Sequence, residues 1–144
     1  MDTAGGNNMG MRDNLRQEYL SRTVMTASPA ELVVMLFDAC IKDIKLAQLA
    51  MEEKKPNYSK VNEYMIKAQM IITELISSLD MSFEISNQIL PIYEFVLTSL
   101  RNANVKKDMS QMDDVISIIS EQRDAWAQIV RGSAKPGSDE VMVG

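Results

Sequence analysis

The sequence predicts an all-α fold, an antiparallel up-down four-helix bundle. Three observations point there. Four segments carry apolar residues at steps of three and four, the helical period, and no segment reads as a convincing strand. The segments are joined by only a few residues each, which makes neighbours in sequence antiparallel neighbours in space. Helix-start and helix-stop residues stand where the periodicity begins and ends. Helices of about 22 residues are about 33 Å long, the size of one small domain.

The first helix opens at "SPAE". Ser28 is placed to cap it, Pro29 suits the first helical position, and Glu31 completes a capping box three residues on. Proline has no amide hydrogen to waste there, and Glu31 meets the positive end of the helix dipole. The helix continues through "LVVMLFDACIKDIKLAQLAMEEKK" and ends near Pro56. Leu32, Leu36, Ala39, Cys40 and Ala47 form the expected buried stripe. Val33, Val34, Phe37, Ile41 and Ile44 form a second apolar stripe, more than one face needs.

The second helix follows Asn57, a cap, and its seam is Val61, Met65, Ala68, Ile72, Leu75 and Leu79. Glu63 and Lys67 are spaced to pair on the outside, while Tyr64, Ile71 and Ile76 lie off the seam. The third helix covers roughly Phe83 to Asn104, with a seam of Ile85, Ile89, Ile92, Val96 and Leu100. Pro91 inside it predicts a kink, or a short turn followed by the main helix from Pro91 onward. Asn102 and Asn104 are suited either to hydrogen-bond the backbone of a bound partner or to stop this helix, and the stop is the favoured reading. The fourth helix is expected to start at Asp108, with Gln111 three residues on as a second capping box. Its seam is Met112, Val115, Ile119, Trp126 and Ile129, with Gly132 as its stop, and Ile116, Ile118 and Val130 spill outside.

At 144 residues the chain fits one domain, and 46% hydrophobic with 24% charged residues is globular composition. Residues 1–18 and 132–144 read as flexible ends around a bundle at 19–131. The formal net charge of -5 argues against a nucleic-acid partner, which needs clustered Lys and Arg. The doublets Lys54-Lys55 and Lys106-Lys107 read as helix-end charges. The single cysteine, Cys40, lies in an apolar stretch and reads as a buried reduced thiol. No signal peptide is visible, and the longest apolar run, Leu32 to Phe37, is far short of a membrane span. A cytoplasmic protein without membrane insertion is the expectation.

Histidine is absent, which removes the commonest general base and metal ligand. A di-iron bundle needs Glu-x-x-His motifs, zinc sites need Cys/His sets, and phosphate cradles need glycine-rich loops; none is present. Asp38, Asp43, Glu52, Glu53, Asp113 and Asp114 read as a solvated face rather than acid/base pairs. No enzyme, metal or cofactor is expected. What remains is an excess of apolar residues, including twelve methionines. The plain account is a wide core. The sharper one is open grooves for an amphipathic helix of another chain, with methionine supplying adaptable contacts.

Tyr19, Val24 and "TASPAELVVMLFDACI" from Thr26, then "IKAQMIITEL" (Ile66 to Leu75), "LPIYEFVLTSLRNANVKKD" (Leu90 to Asp108) and "RDAW" (Arg123 to Trp126), follow in order over residues 19–131. Together they resemble the flagellar secretion chaperone family FliS. Ala39, where the family often has Gly, and Pro91 depart from its pattern. The resemblance implies an antiparallel helical bundle without catalytic activity or cofactor. Such a bundle binds the C-terminal helical region of flagellin in the cytosol, prevents premature polymerisation and aids delivery to the export gate. It also implies a mobile N-terminal cap segment, here with Tyr19 and Val24, that the client displaces. Tyr64, Ile71, Tyr93, Leu97 and Ile118 are the residues expected to face the client. Export-gate and regulatory proteins are further partners the resemblance brings in, and no residue selects one. The chain is expected to be a monomer or a weak homodimer. The alternative is a generic helical adaptor that uses the same grooves for another amphipathic segment.

Overall fold

The structure, a computed structural model, describes residues 27–133. Four helices form: α1 (Pro29–Glu52), α2 (Tyr58–Ser78), α3 (Glu84–Lys106) and α4 (Met112–Ser133). No strand forms among the described residues. Five residues separate each helix from the next, so the chain runs up, down, up and down. α1 packs on α2 and α4, and α2 packs also on α3; of these neighbouring pairs around the bundle, α3 and α4 touch least. The bundle therefore has three tight edges and one loose one. Tyr19, Val24 and both expected flexible ends, apart from Gly132 and Ser133, lie outside the described residues. α4 runs through Gly132 to Ser133, past the expected stop.

The first two caps form as the sequence predicts. Ser28 Oγ accepts from the Glu31 amide at 3.2 Å, and Glu31 Oε1 accepts from the Ser28 amide at 2.7 Å. Both amides lie at the helix start, where the backbone has no helical acceptors of its own. Asn57 Oδ1 accepts from the Lys60 amide at 3.1 Å. The expected Glu63–Lys67 pair is present at 3.9 Å, and Lys60 reaches the same carboxylate at 3.5 Å.

The other boundaries shift. Asn104 does not stop α3; the helix ends at Lys106, and Lys107 turns the chain with a left-handed φ of 53°. Its ammonium donates to the carbonyl oxygen of Asn104 at 2.6 Å and to Asn104 Oδ1 at 2.9 Å. Asn104 Nδ2 in turn donates to Asn62 Oδ1 at 2.9 Å, tying the end of α3 to α2. So Lys107 does serve a helix end, whereas Lys54 and Lys55 lie past the end of α1. Asp108 does not cap α4 either: it accepts from the Ser110 amide at 2.9 Å in a local turn, and the helix begins at Met112. α3 passes through Pro91 as one continuous helix. The proline ring is exposed, so the donor it lacks is missing on the water side, where solvent can serve the Asn87 carbonyl.

The α2 seam is buried as expected, from Val61 to Leu79, with Ile71 added to it. α1 is rotated from the expected stripe. Val33, Phe37, Cys40, Ile44 and Ala47 are the core, while Leu32, Leu36 and Ala39 are half-buried. α1 is gripped by α2 on one side and α4 on the other, so both of its stripes find partners. α3 is rotated by one residue at its start. Tyr93 and Ser86 point inward in place of Ile92 and Ile85. α4 buries Met112, Val115, Ile119 and Trp126, and leaves Ile129 half-buried. Among the described residues, Ser86 Oγ is the one buried side-chain oxygen or nitrogen without a hydrogen-bond partner.

Candidate functional site

Three of the four sequence blocks that carry the resemblance meet inside the bundle. The indole N–H of Trp126 on α4 donates to the Tyr93 hydroxyl on α3 at 3.1 Å. The Tyr93 ring meets Phe37 of α1 edge to face, with centroids 5.7 Å apart and planes at 72°. On the surface above this cluster, Arg123 reaches Asp38 of α1 with two hydrogen bonds, Nε to Oδ1 at 2.9 Å and Nη2 to Oδ2 at 3.4 Å. Hydrogen bonding and charge attraction from Asp38 raise the Arg123 guanidinium further above its usual range. Asp38, read in sequence as one of many solvated carboxylates, is thus a cross-helix partner. Local spacing gives no signal for it.

Burial governs the titrating groups of the interior. It pushes the Tyr93 hydroxyl up to about 12, and the Trp126 hydrogen bond partly opposes this. Burial, helped by the charge of Asp43, pushes the Cys40 thiol up far beyond its ordinary value. That thiol donates to the Ala68 carbonyl at 3.7 Å, which links α1 to α2. A thiol so placed is a packing group and not a nucleophile. Among the described residues no cluster of Cys, Asp and Glu is arranged to hold a metal ion, and no helix is long and apolar enough to cross a membrane.

The surface carries grooves between helices. The loose α3/α4 edge opens into one of about 380 Å³, lined by Ile85, Ile89 and Ile92 on α3 and by Ala125, Trp126 and Ile129 on α4. A second, of about 210 Å³, lies between α2 and α3 around Ile66, Met70, Leu97 and Arg101. A third, of about 410 Å³, lies between the start of α1 and the end of α4. The outward ridge of α3 between the first two grooves carries Phe95, 57% exposed.

The five residues expected to face a client separate under this geometry. Ile71 and Tyr93, at 0% and 2% exposure, are core residues, so neither presents its side chain to a partner in this conformation. Leu97 lines the α2/α3 groove. Ile118 is half-buried against the core and does not line a groove; it lies one turn before Gln122, a lining residue, on the same flank of α4. Tyr64 is half-buried and does not line either groove; the ammonium groups of Lys60 and Lys67 each sit 5.9 Å from its ring centre. The groove isoleucines Ile85, Ile89 and Ile92 belong by spacing to the core seam. Their place at the groove is set by the rotation of α3 and by how loosely it meets α4.

The chain is similar to proteins already known. Residues 11–133 match the family model described as Flagellar protein FliS. The chain is 36% identical over 117 residues to the Flagellar secretion chaperone FliS of Bacillus subtilis (strain 168), covering 81% of this chain and 86% of that protein. It is 35% identical over 105 residues to the protein of the same name from Vibrio cholerae, covering 72% and 76% of the two. With the Salmonella typhimurium protein of that name it shares 30% identity over 116 residues, covering 78% and 84%.

Proposed function

The chain belongs to the FliS family of flagellar proteins, and on that premise we propose that it is a cytoplasmic export chaperone for flagellin. In this reading it holds the C-terminal helical region of flagellin, keeps it from polymerising early and aids its delivery to the export apparatus. The relatives are named as chaperones, not enzymes, and the described residues offer apolar grooves rather than a reactive centre.

The open α3/α4 edge supports the reading most. Its groove is apolar and includes exposed Ile85, and Ile118 lies further along the same flank of α4. The α2/α3 groove with Leu97 lies on the other flank of the same helix. An amphipathic segment laid into one groove can cross the ridge at Phe95 and continue into the other. Each turn buries apolar area worth about 25 cal/mol per Å² before ordering costs. A disordered client loses much of that gain on ordering, so a long wrapped contact is the natural solution. Tyr19 and Val24 belong to a segment that covers part of this surface and gives way to the client.

Calorimetric titration of the full chain with a peptide from the C-terminal helical region of flagellin tests this. One-to-one binding with a large negative heat-capacity change is expected. Ile85→Asp and Leu97→Asp weaken it by roughly tenfold or more while circular dichroism shows a folded bundle. Deleting residues 1–24 leaves affinity unchanged or raises it; a loss of affinity would count against displacement of a cap. No binding by a folded chain overturns the function. Equal binding of an unrelated amphipathic helix replaces it with a generic adaptor.

A further inference from the structure

On the reading of the α2/α3 groove as a client surface, we propose that Arg101 selects what docks there. Its guanidinium takes a carboxylate at the edge of an amphipathic client helix, and a segment that brings no acid to that place is turned away. Ile66, Met70 and Leu97 make the groove apolar, Gln69 and Thr73 add neutral polar groups, and Arg101 is the one charged residue that lines it.

The place of Arg101 follows from how the two helices pair. Asn104 Nδ2 reaches Asn62 Oδ1 across the α2/α3 edge. One turn back along α3 is Arg101, and one turn on along α2 is Ile66, so these two stand at the same level. Thr73 lies two turns further along α2, at the other end of the groove. The cation therefore stands at one end of an apolar trough.

The described carboxylates leave this cation without a partner. No ion pair joins Arg101 to another described residue. Glu63, on α2, is held by Lys60 and Lys67. Glu94 is on the flank of α3 that carries Arg101, but two turns and about 10.5 Å away. Glu74 adjoins Thr73 at the far end of the groove. Of the cations nearby, Lys107 is engaged by the carbonyl oxygen and Oδ1 of Asn104. Lys106 lies nearly half a turn round α3 from Arg101.

A helix laid over Ile66 and Leu97 takes water from one side of the guanidinium. A cation desolvated without a partner opposes binding, whereas one that meets a carboxylate forms a charge-assisted, two-pronged bond. The same residue thus favours one client and opposes another, which is what specificity requires. Glu94 and Glu74 repel a second acid at the far end, so they fix where the first one sits. The α3/α4 groove has no charged lining residue and sets no such condition.

Three amphipathic peptides of about 15 residues, alike except for Glu, Gln or Lys beside the leucine stripe, test this against the full chain. Backbone amide shifts of Met70, Thr73 and Leu97 report occupation of the groove. The Glu peptide is expected to bind tighter than the Gln peptide by roughly threefold to tenfold, with the Lys peptide weakest. Arg101→Gln removes the preference and Arg101→Glu reverses it, while circular dichroism shows a folded bundle. Equal binding of the three peptides overturns the proposal. A preference for Glu that survives Arg101→Gln, or shifts confined to the other grooves, overturns it too. Calorimetry with the flagellin segment separates this from the client reading. A segment that binds the wild-type chain and Arg101→Gln equally leaves flagellin as the client and overturns selection by Arg101. A segment that fails to bind, while the preference for Glu persists, overturns flagellin as the client and supports Arg101 as the selector of an acidic helix from another protein.

Discussion

Trp126 and Tyr93 are joined by a buried hydrogen bond, indole N–H to phenol oxygen at 3.1 Å, across the edge where α3 and α4 touch least. The bond holds the floor of the α3/α4 groove, since Trp126 also lines it. Tyr93→Phe keeps the ring against Phe37 but leaves the indole donor buried without a partner. It is expected to cost about 1–3 kcal/mol of stability. Trp126 is the only tryptophan of the chain, so urea unfolding followed by its fluorescence reads the loss directly. An unchanged midpoint would show that the bond contributes nothing net.

The same hydroxyl gives a pH dependence. Its native value of about 12 lies above the ordinary 10.0 because burial disfavours the phenolate. A group whose native pKa is raised stabilises the fold below its unfolded pKa and loses that contribution as pH climbs through the native one. Stability should therefore fall between about pH 10 and 12, and Tyr93→Phe should show a shallower fall over that window. Urea midpoints taken across this range check it. Equal slopes in both proteins would assign the alkaline transition to other groups.

Ser86→Ala is expected to stabilise the protein. Its hydroxyl is fully buried and makes no hydrogen bond. Removing an unsatisfied buried hydroxyl recovers about 1 kcal/mol or more, and alanine is also the better helix former. A higher melting temperature is the expected reading. A lower one would mean that the oxygen has a partner in solution.

Ser28→Ala breaks one arm of the capping box and frees the other, and it is expected to cost about 1 kcal/mol. Urea unfolding reads the loss, and hydrogen exchange should show faster opening in the first turn of α1. Exchange that quickens evenly along the chain would show that the cap is not a local clasp.

Cys40 should ignore thiol reagents in the native state. Its thiol is buried, and burial raises its pKa far above neutral. The rate of modification should track global unfolding as urea is added. Fast modification without urea would mean that α1 and α2 separate locally.

What is legible in the sequence is local. The Ser28 and Asn57 caps lie within four residues of their partners, and the α2 seam keeps one stripe throughout, so both can be read from spacing alone. α1 and α3 resist because each carries more apolar residues than one face requires. Only the partner decides between them: Tyr93 outcompetes Ile92 for the interior because it meets both Phe37 and Trp126. Asp108 resists for another reason, since the same side chain suits a local turn or a helix cap and Ser110 draws it to the turn. Ile71 looks like a surface residue because it lies off a heptad seam, yet α2 is flanked by α1 and α3 and buries a wider face than a heptad allows. The grooves themselves are beyond reach, because they depend on how closely two helices pack after each has found its rotation.

The Arg123–Asp38 pair joins residues 85 apart in sequence, and the whole α1/α4 edge is built from comparably distant parts of the chain. As the chain leaves the ribosome, α1, α2 and α3 are free to zip together as successive hairpins while α4 is still unmade. Throughout that interval the flank of α1 around Val34 has no cover. That flank of α1 is apolar, and α4 is the helix that covers it in the folded chain. The five-residue link from α3 holds α4 beside that flank at a high effective concentration, which favours closure on the chain's own last helix over a helix from another chain.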